Sequence, residues 1–247
     1  MSKNFNDVLA EIKKIKTTIP VYVPSQGKEI EIKALTLAQQ KIIIESSVDT
    51  SLSVLFFNTT FCKILEQNLP DKISNYDTVD RVNFALALRK QLKDTVELDG
   101  NTYNISSILE ANKRKSAKFE PTVVESTNFK IYVKKPDIEY DNRINSILLR
   151  KYKDENIKSN KLKTLISDLF AYEIFKFIEK IEVQSSGNQI DLKSNINEGV
   201  EMIEAIDGKE FVNVVKQINI LRDIEKEFTK IPDTNLYIDI VPDFFVV

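Results

Sequence analysis

The chain has 247 residues, of which 42% are apolar and 29% are charged, and its 35 basic and 37 acidic side chains give a net charge of −2. This length can bury a substantial core, and the near-neutral balance argues against a general polyanion binder. The sequence contains no histidine, one cysteine and five glycines. These counts exclude a Ser–His or Cys–His nucleophile system, an internal disulfide, a thiolate zinc cluster and a phosphate-binding glycine loop. We therefore expect no enzyme, and no catalytic, cofactor-binding or metal-binding residues.

The pattern of apolar residues predicts neither a secretory signal nor a membrane span. The first 16 residues lack the apolar segment of a secretory signal, and the longest apolar runs, such as residues 54–57, are far shorter than the roughly 20 residues of a membrane span. Together with the single cysteine, this predicts that the protein is located in a reducing cytoplasm or in a virus particle.

The first predicted elements are a helix, a hairpin and a second helix. Apolar residues at helical spacing predict an amphipathic helix in residues 5–15. Alternating strands at 19–23 and 29–33, joined by a turn at Pro24–Gly27, predict a β-hairpin. Thr36 and Gln39 have the spacing of a capping box, so a helix should begin at Thr36.

The middle of the chain predicts two more helices and further strands. The helices cover residues 51–67 and 77–93. The segment 96–105 predicts a second hairpin with an Asp-Gly turn, and Ser107 and Glu110 have the spacing to cap a short helix after it. Strands are predicted at 122–124 and 129–133, and Pro136 ends this part of the chain.

The last part of the chain is predicted to be mostly helical. The helices cover residues 141–152, 159–180, 197–205 and 208–228. Asp141 is a candidate N-cap of the first. Apolar residues at 162, 165, 166, 169, 170, 174, 177 and 178 give the second a wide apolar face. A hairpin is predicted at 183–192 and a last strand at 237–241.

These elements predict an α+β fold that is dominated by helices and contains several short local β-hairpins. We expect two closely packed lobes. Residues 1–136 form an α+β lobe with the hairpin and its helices, and residues 137–247 form a mainly helical lobe with a short hairpin.

Two candidate features each have a plain structural interpretation. Cys62 lies within a predicted helix without a histidine to act as its base, so we expect a small buried side chain. The acidic segment 137–141 is interpreted as a helix entry. A carboxylate-based enzyme would need a concave pocket in which Asp or Glu has a perturbed pKa.

The densest basic run covers residues 113–118. Lys113, Arg114, Lys115 and Lys118 could contact phosphates, but the run lacks the interleaved aromatic residues that stack on single-stranded bases. A solvated loop is the expected structure, and a nucleic-acid-binding accessory protein is the alternative function.

The last four residues of the sequence are all apolar. Phe244, Phe245 and the two valines after them must pack on their own domain or on a partner. The sequence leaves both possibilities open.

Several segments resemble the baseplate hub assembly proteins of T-even-type contractile-tailed phages. In that family a PS-x-G-K hairpin precedes a K/R-P-L/F-T step and a helix rich in Glu, Gln and Lys. The resemblance follows the chain in order through residues 19–30, 33–36, 39–43, 131–138, 231–233 and 239–245. Lys33-Ala34 stands where the family has a basic residue followed by proline, and residues 234–239 lack the paired cysteines of some relatives, so no zinc site is carried over.

The resemblance implies a non-enzymatic assembly factor, chaperone or component of a phage baseplate hub. Such a protein would bind hub or tail proteins, in the host cytoplasm during assembly or in the tail baseplate of the virion. It implies no small-molecule substrate and no membrane as partner, and nucleic acid is a partner only under the alternative function. The residues expected to contact the partner are Tyr22, Pro24, Gln26, Leu35, Gln39, Phe244 and Phe245.

Overall fold

The computed structural model describes residues 4, 6–7, 17–46, 52–117, 119–152 and 159–246 of the chain. The helix predicted in residues 5–15 lies outside the described residues except for 6–7. Lys118 of the basic run and Val247 also lie outside them.

The described residues form an α+β fold that is dominated by helices, which confirms the predicted fold class. The helices are α1 (Leu37–Glu45), α2 (Ser53–Asn68), α3 (Thr78–Leu92), α4 (Ile105–Asn112), α5 (Ile138–Tyr152), α6 (Ser159–Phe175), α7 (Ile196–Glu204) and α8 (Gly208–Glu227). The strands are β1 (Thr18–Val23), β2 (Lys28–Lys33), β3 (Thr95–Leu98), β4 (Asn101–Asn104), β5 (Thr122–Glu125), β6 (Phe129–Val133), β7 (Ile178–Val183) and β8 (Gln189–Asp191). Short 3-10 helices cover Ile73–Asn75 and Pro242–Phe245.

The strands form two separate hairpins and one larger sheet. β1 pairs with β2 and β3 pairs with β4, both antiparallel, and β5-β6-β7-β8 form a four-stranded antiparallel sheet. Within that sheet Ile131 of β6 faces Ile181 of β7, although α5 and α6 lie between the two strands in sequence. The sequence predicts the strands but not this long-range pairing, because an alternating pattern identifies a strand and not its partner.

Local signals place the first two hairpins and α1 correctly. Gly27, Asp99 and Gly100 all have positive φ, at 65°, 50° and 75°, as the two tight turns require. At the start of α1 the backbone N–H of Gln39 donates to Thr36 Oγ1 at 3.2 Å, and the N–H of Thr36 donates to Gln39 Oε1 at 3.0 Å. The predicted capping box is therefore confirmed.

The predicted start of the short helix α4 is wrong. The helix begins at Ile105 rather than at Ser107, whose hydroxyl donates to the carbonyl of Asn104 at 2.7 Å. The N–H of Ser106 instead donates to the carboxylate of Asp94 at 2.8 Å, which fixes the first turn. The carboxylate precedes the second hairpin, so no local spacing signals its role.

The limits of α5 and α6 also differ from the sequence prediction. α5 begins at Ile138, and Asp137 rather than Asp141 accepts the capping hydrogen bond, from the N–H of Tyr140 at 2.7 Å. α6 ends at Phe175, so residues 177 and 178 belong to the turn and to β7. A continuous apolar run fits a buried strand as well as a helix, and spacing alone does not separate them.

The last predicted strand, at 237–241, is reduced to a single bridge between Lys230 and Tyr237. The N–H of Ile238 donates to the carbonyl of Thr229 at 2.9 Å, and the pairing stops there. The final 3-10 helix that follows packs against α1 and α3.

Two clusters of buried apolar side chains form the interior. The first joins the hairpins, α1–α4 and the last residues of the chain, including Phe245, and the second joins the four-stranded sheet with α5–α8. Leu52 and Ile131 belong to the second cluster. Both clusters thus draw side chains from both predicted lobes, and the boundary between 136 and 137 stays a prediction.

Candidate functional site

The turn of the first hairpin is held on the first turn of α3. Ser25 donates to the carboxylate of Asp80 twice, from its N–H at 2.8 Å and from its hydroxyl at 2.5 Å, and the N–H of Asp77 donates at 2.8 Å. Asp80 is fully buried. Burial raises the pKa of Asp80 to about 6, although the hydrogen bonds from Ser25 and Asp77 favour the ionised form. The sequence analysis did not identify this anchor.

Three of the predicted contact residues lie in this hairpin. Pro24 is buried and Tyr22 is half-buried, with its carbonyl accepting from Asn83 Nδ2 at 3.0 Å. Gln26 is exposed, and its side-chain amide donates to the carbonyl of Asn75 at 2.9 Å. Of these three residues, Gln26 is therefore the exposed one.

Leu35 and Gln39 tie α1 to its neighbours. Leu35 is buried, and its N–H donates to Gln91 Oε1 at 2.9 Å. Gln39 Nε2 donates to Asn68 Oδ1 at 2.8 Å, at the end of α2. Both residues thus make contacts that stabilise the first core.

Phe244 and Phe245 pack inside the chain. The ring of Phe245, which is fully buried, lies with its centroid 5.6 Å from that of Phe61. Arg89 Nε donates to the carbonyl of Phe244 at 2.5 Å, and Gln40 Nε2 donates to the carbonyl of Phe245 at 3.0 Å. Of the two possibilities left open by the sequence, the structure has the packing on the chain's own core.

The seven predicted contact residues therefore all belong to the part of the fold built on the first core. Four of the seven are buried, two are half-buried, and Gln26 is exposed. A role in partner binding stays a prediction for each of them.

A buried ion cluster lies where the two cores meet. Asp141, with 1% of its side chain exposed, receives Arg81 Nη1 at 2.5 Å and Lys176 Nζ at 2.9 Å. Lys176 also contacts Glu173 at 2.9 Å. Burial alone would raise the pKa of Asp141, but the charges of Lys176 and Arg81 lower it below its usual range.

Arg81, Lys176 and Glu173 of this cluster line a cleft of about 340 Å³. Its lining also contains the aromatic rings of Phe61 and Phe177. Four basic side chains line the cleft, and its three carboxylates together with Asp141 balance their charge. Of these carboxylates, Glu173 forms ion pairs with Lys176 and Arg222. The arrangement joins α3, α5, α6 and α8 by charge pairing.

Cys62 lies close to this cluster and is fully buried, which confirms the interpretation from the sequence. Burial raises the pKa of its thiol to about 11. The thiolate, which is the nucleophilic form, is therefore strongly disfavoured at neutral pH.

Contacts within the fold engage part of the basic run. Lys113 pairs with Glu29 Oε1 at 2.8 Å, and Lys115 Nζ donates to Asn112 Oδ1 at 2.9 Å. Arg114 is exposed. The run is thus fixed to the hairpin and to α4 by these contacts.

α6 carries an exposed apolar stripe. Leu162, Ile166 and Phe170 have 39%, 57% and 63% of their surface exposed. The sequence placed them in one wide apolar face with Leu165 and Ile174, which do face the core. The pattern identified the apolar positions but could not show that part of the face stays uncovered.

Within the described ranges, none of the helices has the length and apolar character needed to cross a membrane. The same residues contain no group of three or more His, Cys, Asp and Glu side chains placed to hold a metal ion. Comparison of the chain with protein-family models, curated proteins and solved structures finds no match.

Proposed function

We propose that the chain is a non-enzymatic assembly factor, or a component, of a phage tail baseplate hub and that it acts by binding hub subunits. The observation that carries this proposal is the ordered resemblance of segments spread from residue 19 to residue 245. Each segment is short, and the proposal depends on their order along the chain.

Contacts between the segments support this reading. The hairpin is anchored on Asp80 of α3, and the mid-chain segment reaches the same helix, because the N–H of Thr78 donates to the carbonyl of Pro136 at 3.2 Å. The last segment meets α1 through the hydrogen bond from Gln40 to Phe245. The hairpin and the mid-chain segment thus share α3 as a neighbour, and residues 39–43 contact residues 239–245 directly.

The alternative function, nucleic-acid binding through residues 113–118, has less support. Lys113 is paired with Glu29, and Lys115 is held by Asn112 and by the carbonyl of Glu227. Phosphate contacts would have to displace these partners. The net charge of −2 adds no general attraction to a polyanion.

The proposal is tested by quantitative mass spectrometry of purified phage particles beside the lysate of infected cells. A fixed copy number in particles would identify a baseplate component. Presence in the lysate with a hub subunit, combined with absence from particles, would identify an assembly chaperone. Failure to find the chain with any tail protein in either sample would overturn the proposal.

A surface variant sharpens the experiment. Gln26→Lys alters the exposed member of the predicted contact residues, and Ser185→Lys adds the same charge to the exposed turn between β7 and β8. We expect the first change to lower the amount of hub protein that is recovered with the chain, and the second to leave it unchanged. Equal recovery with both variants would remove the hairpin from the proposed contact surface.

A further inference from the structure

The strand β5 forms one edge of the four-stranded sheet, and among the described residues β6 is its one strand neighbour. The N–H of Ser126, just after β5, donates to the carbonyl of Phe129 at 2.9 Å. Antiparallel pairs alternate between bonded and non-bonded positions, so Thr122 and Val124 carry the bonds to β6. The N–H and C=O groups of Val123 and Glu125 therefore point outward, to the free edge.

These outward backbone groups are open to a partner. Among the described residues, no hydrogen bond reaches the backbone of Val123 or Glu125 from outside the sheet. Val123 has 43% of its surface exposed, and the side chain of Glu125 has 63%. Pro121 has no N–H, so the open part of the edge begins at Thr122. Unpaired N–H and C=O groups along a strand are a template for one kind of occupant, another extended backbone.

The opposite edge of the sheet offers less. β8 has three residues, and the N–H of Val183 donates to the carbonyl of Asn188 at 2.9 Å just outside it. The same alternation makes Gln189 and Asp191 the outward positions of β8. The carbonyl of Asp191 accepts from the hydroxyl of Ser194 at 2.9 Å, so this edge is partly occupied by the chain itself.

The side chains on the exposed face of the sheet specify which strand fits beside β5. Cross-strand pairing places Glu125, Lys130 and Glu182 in one row, with Lys130 Nζ 3.4 Å from Glu125 Oε1. Charge alternates along this row, which ends on the carboxylate of Glu125 at the edge. The next row places Val123 beside Tyr132 and ends on an apolar side chain. Directly opposite side chains on one face interact, so a further strand is favoured when it continues both rows.

From this arrangement we propose that β5 accepts an extended segment of a partner protein as a fifth strand of the sheet, and that this segment carries lysine or arginine opposite Glu125. Its backbone would complete the hydrogen bonds of Val123 and Glu125, and an apolar or aromatic side chain would lie opposite Val123. A second copy of this chain fits less well. When Val123 and Glu125 of two copies bond each other, an apolar side chain stands opposite Glu125 where the row calls for a cation.

The experiment uses the full chain labelled with nitrogen-15 and the capped peptide Ser-Thr-Lys-Val-Tyr-Thr-Ser. Antiparallel to β5, this peptide places its lysine opposite Glu125 and its tyrosine opposite Val123. A second peptide has glutamate in place of the lysine. The amide shifts of Val123 and Glu125 give the dissociation constants. We expect the lysine peptide to bind at least about fivefold more tightly than the glutamate peptide, with the difference narrowing as salt increases.

Methylated peptides separate strand addition from charge attraction. In the expected register the N–H groups of the peptide's lysine and tyrosine face β5, and the N–H of its central valine points away. We expect N-methylation of the lysine and tyrosine to weaken binding at least about tenfold, and N-methylation of the valine to change it less than about twofold. The net charge is the same in both methylated peptides.

Two proline variants of the chain locate the site. Val123→Pro removes an outward N–H of β5 without removing a bond to β6, and Gln189→Pro removes the corresponding N–H of β8. We expect the first to weaken binding of the lysine peptide at least about tenfold and the second to change it less than about twofold. Circular dichroism verifies the fold of both variants.

A side-chain variant tests the specificity without altering the backbone. Glu125→Gln removes the edge carboxylate, and we expect the preference for lysine over glutamate to fall below about twofold. Glu182→Gln, in the same row but two strands further in, is the matched control and should keep the preference.

Several results would overturn the proposal. These are absence of binding by the lysine peptide, equal binding of the lysine and glutamate peptides, equal binding of the two methylated peptides, and equal binding by the two proline variants. Analytical ultracentrifugation tests the other occupant, since a dimer that Val123→Pro dissociates would assign the edge to a second copy of the chain instead.

The inference goes beyond the proposed function, because none of the seven predicted contact residues belongs to the four-stranded sheet. The peptides contain no phage sequence, so their failure to bind would leave the particle experiment unaffected. Conversely, absence of the chain from tail complexes would leave strand addition as measured with the peptides.

Discussion

Asp141 of α5 accepts a 2.5 Å hydrogen bond from Arg81 of α3, across 60 positions of sequence. α3 packs in the first core and α5 contributes most of its apolar residues to the second. Lys176, which lies just after α6, contacts the other oxygen of the same carboxylate at 2.9 Å. One buried carboxylate thus links three elements across the junction of the cores.

Replacement of this carboxylate should be strongly destabilising. Asp141→Asn keeps the size of the side chain but leaves the charges of Arg81 and Lys176 close together and without their shared anion. We expect the free energy of unfolding to fall by about 3–5 kcal/mol, as for other broken buried ion pairs. Urea denaturation at pH 7 measures the change.

The matched control is Asp223→Asn, at an exposed position of α8. This change should alter the free energy of unfolding by less than about 0.5 kcal/mol.

The ion cluster also predicts that the free energy of unfolding decreases at acid pH, because the pKa of Asp141 is lowered in the folded state. Its stabilisation is present above the unfolded value of 3.8 and is lost as the pH falls below it. A loss below about 1 kcal/mol in Asp141→Asn would contradict this account.

Asp80 should titrate in the opposite sense. Burial raises its pKa to about 6 in the folded state from an ordinary value of 3.8. The folded state therefore binds this proton more tightly, and the contribution of Asp80 to the free energy of unfolding is largest below 3.8 and declines as the pH rises through 6. Carbon-13 NMR of the carboxyl group should give a midpoint near 6, and a midpoint at or below the ordinary value would refute the prediction.

The hairpin should control this titration. Ser25→Ala removes the hydroxyl that donates to Asp80 at 2.5 Å and favours its ionised form, so the midpoint should move further upward. Ser107→Ala is the control, because its hydroxyl donates to the carbonyl of Asn104 instead. If the two variants titrate alike, the hydroxyl of Ser25 does not act on Asp80.

The elements that the sequence predicted well are those with local signals. The capping box at Thr36 and the Asp-Gly turn at Gly100 act within a few residues, and both are present. The hydrogen bond between Ser25 and Asp80 spans 55 positions and that between Gln40 and Phe245 spans 205. No spacing rule encodes such pairs, so the anchoring of the hairpin and of the chain end became visible only in the fold.

The candidate sites illustrate the same limit. The sequence makes Asp141 a candidate N-cap, but it lies inside α5, and its role depends on Arg81 and Lys176, which come from other parts of the chain. The apolar positions of α6 are correctly helical, but a face that is apolar on most sides gives no information about which side the core covers. Phe170 is exposed, whereas Leu165 and Ile174 of the same helix are buried in the second core.

The packing of Phe245 predicts a large effect on stability. Phe245→Ala would leave a cavity beside Phe57 and Phe61, whose ring centroids lie 6.1 Å and 5.6 Å away. We expect the free energy of unfolding to fall by about 3–5 kcal/mol. Val246→Ala, at a half-exposed neighbour, should change it by less than about 0.5 kcal/mol. A small loss in Phe245→Ala would show that this residue adds little to the core.

Gly199 in α7 should be intolerant of alanine, against the usual preference of helices. Alanine in place of glycine ordinarily stabilises a helix by about 0.5–1 kcal/mol. A Cβ at position 199, however, would lie 2.5 Å from Cε2 of Phe175. Phe175 is at the end of α6, and its ring is fully buried. Because the ring is buried and would have to shift to admit this Cβ, we expect Gly199→Ala to lower the free energy of unfolding by about 1–3 kcal/mol. Gly208→Ala is the matched control at the start of α8, where a Cβ meets nothing within 4 Å, and it should be neutral or slightly stabilising. Thermal or urea unfolding of the two variants compares them directly, and a Gly199→Ala protein as stable as the Gly208→Ala protein would show that α6 and α7 are less closely packed than this contact requires.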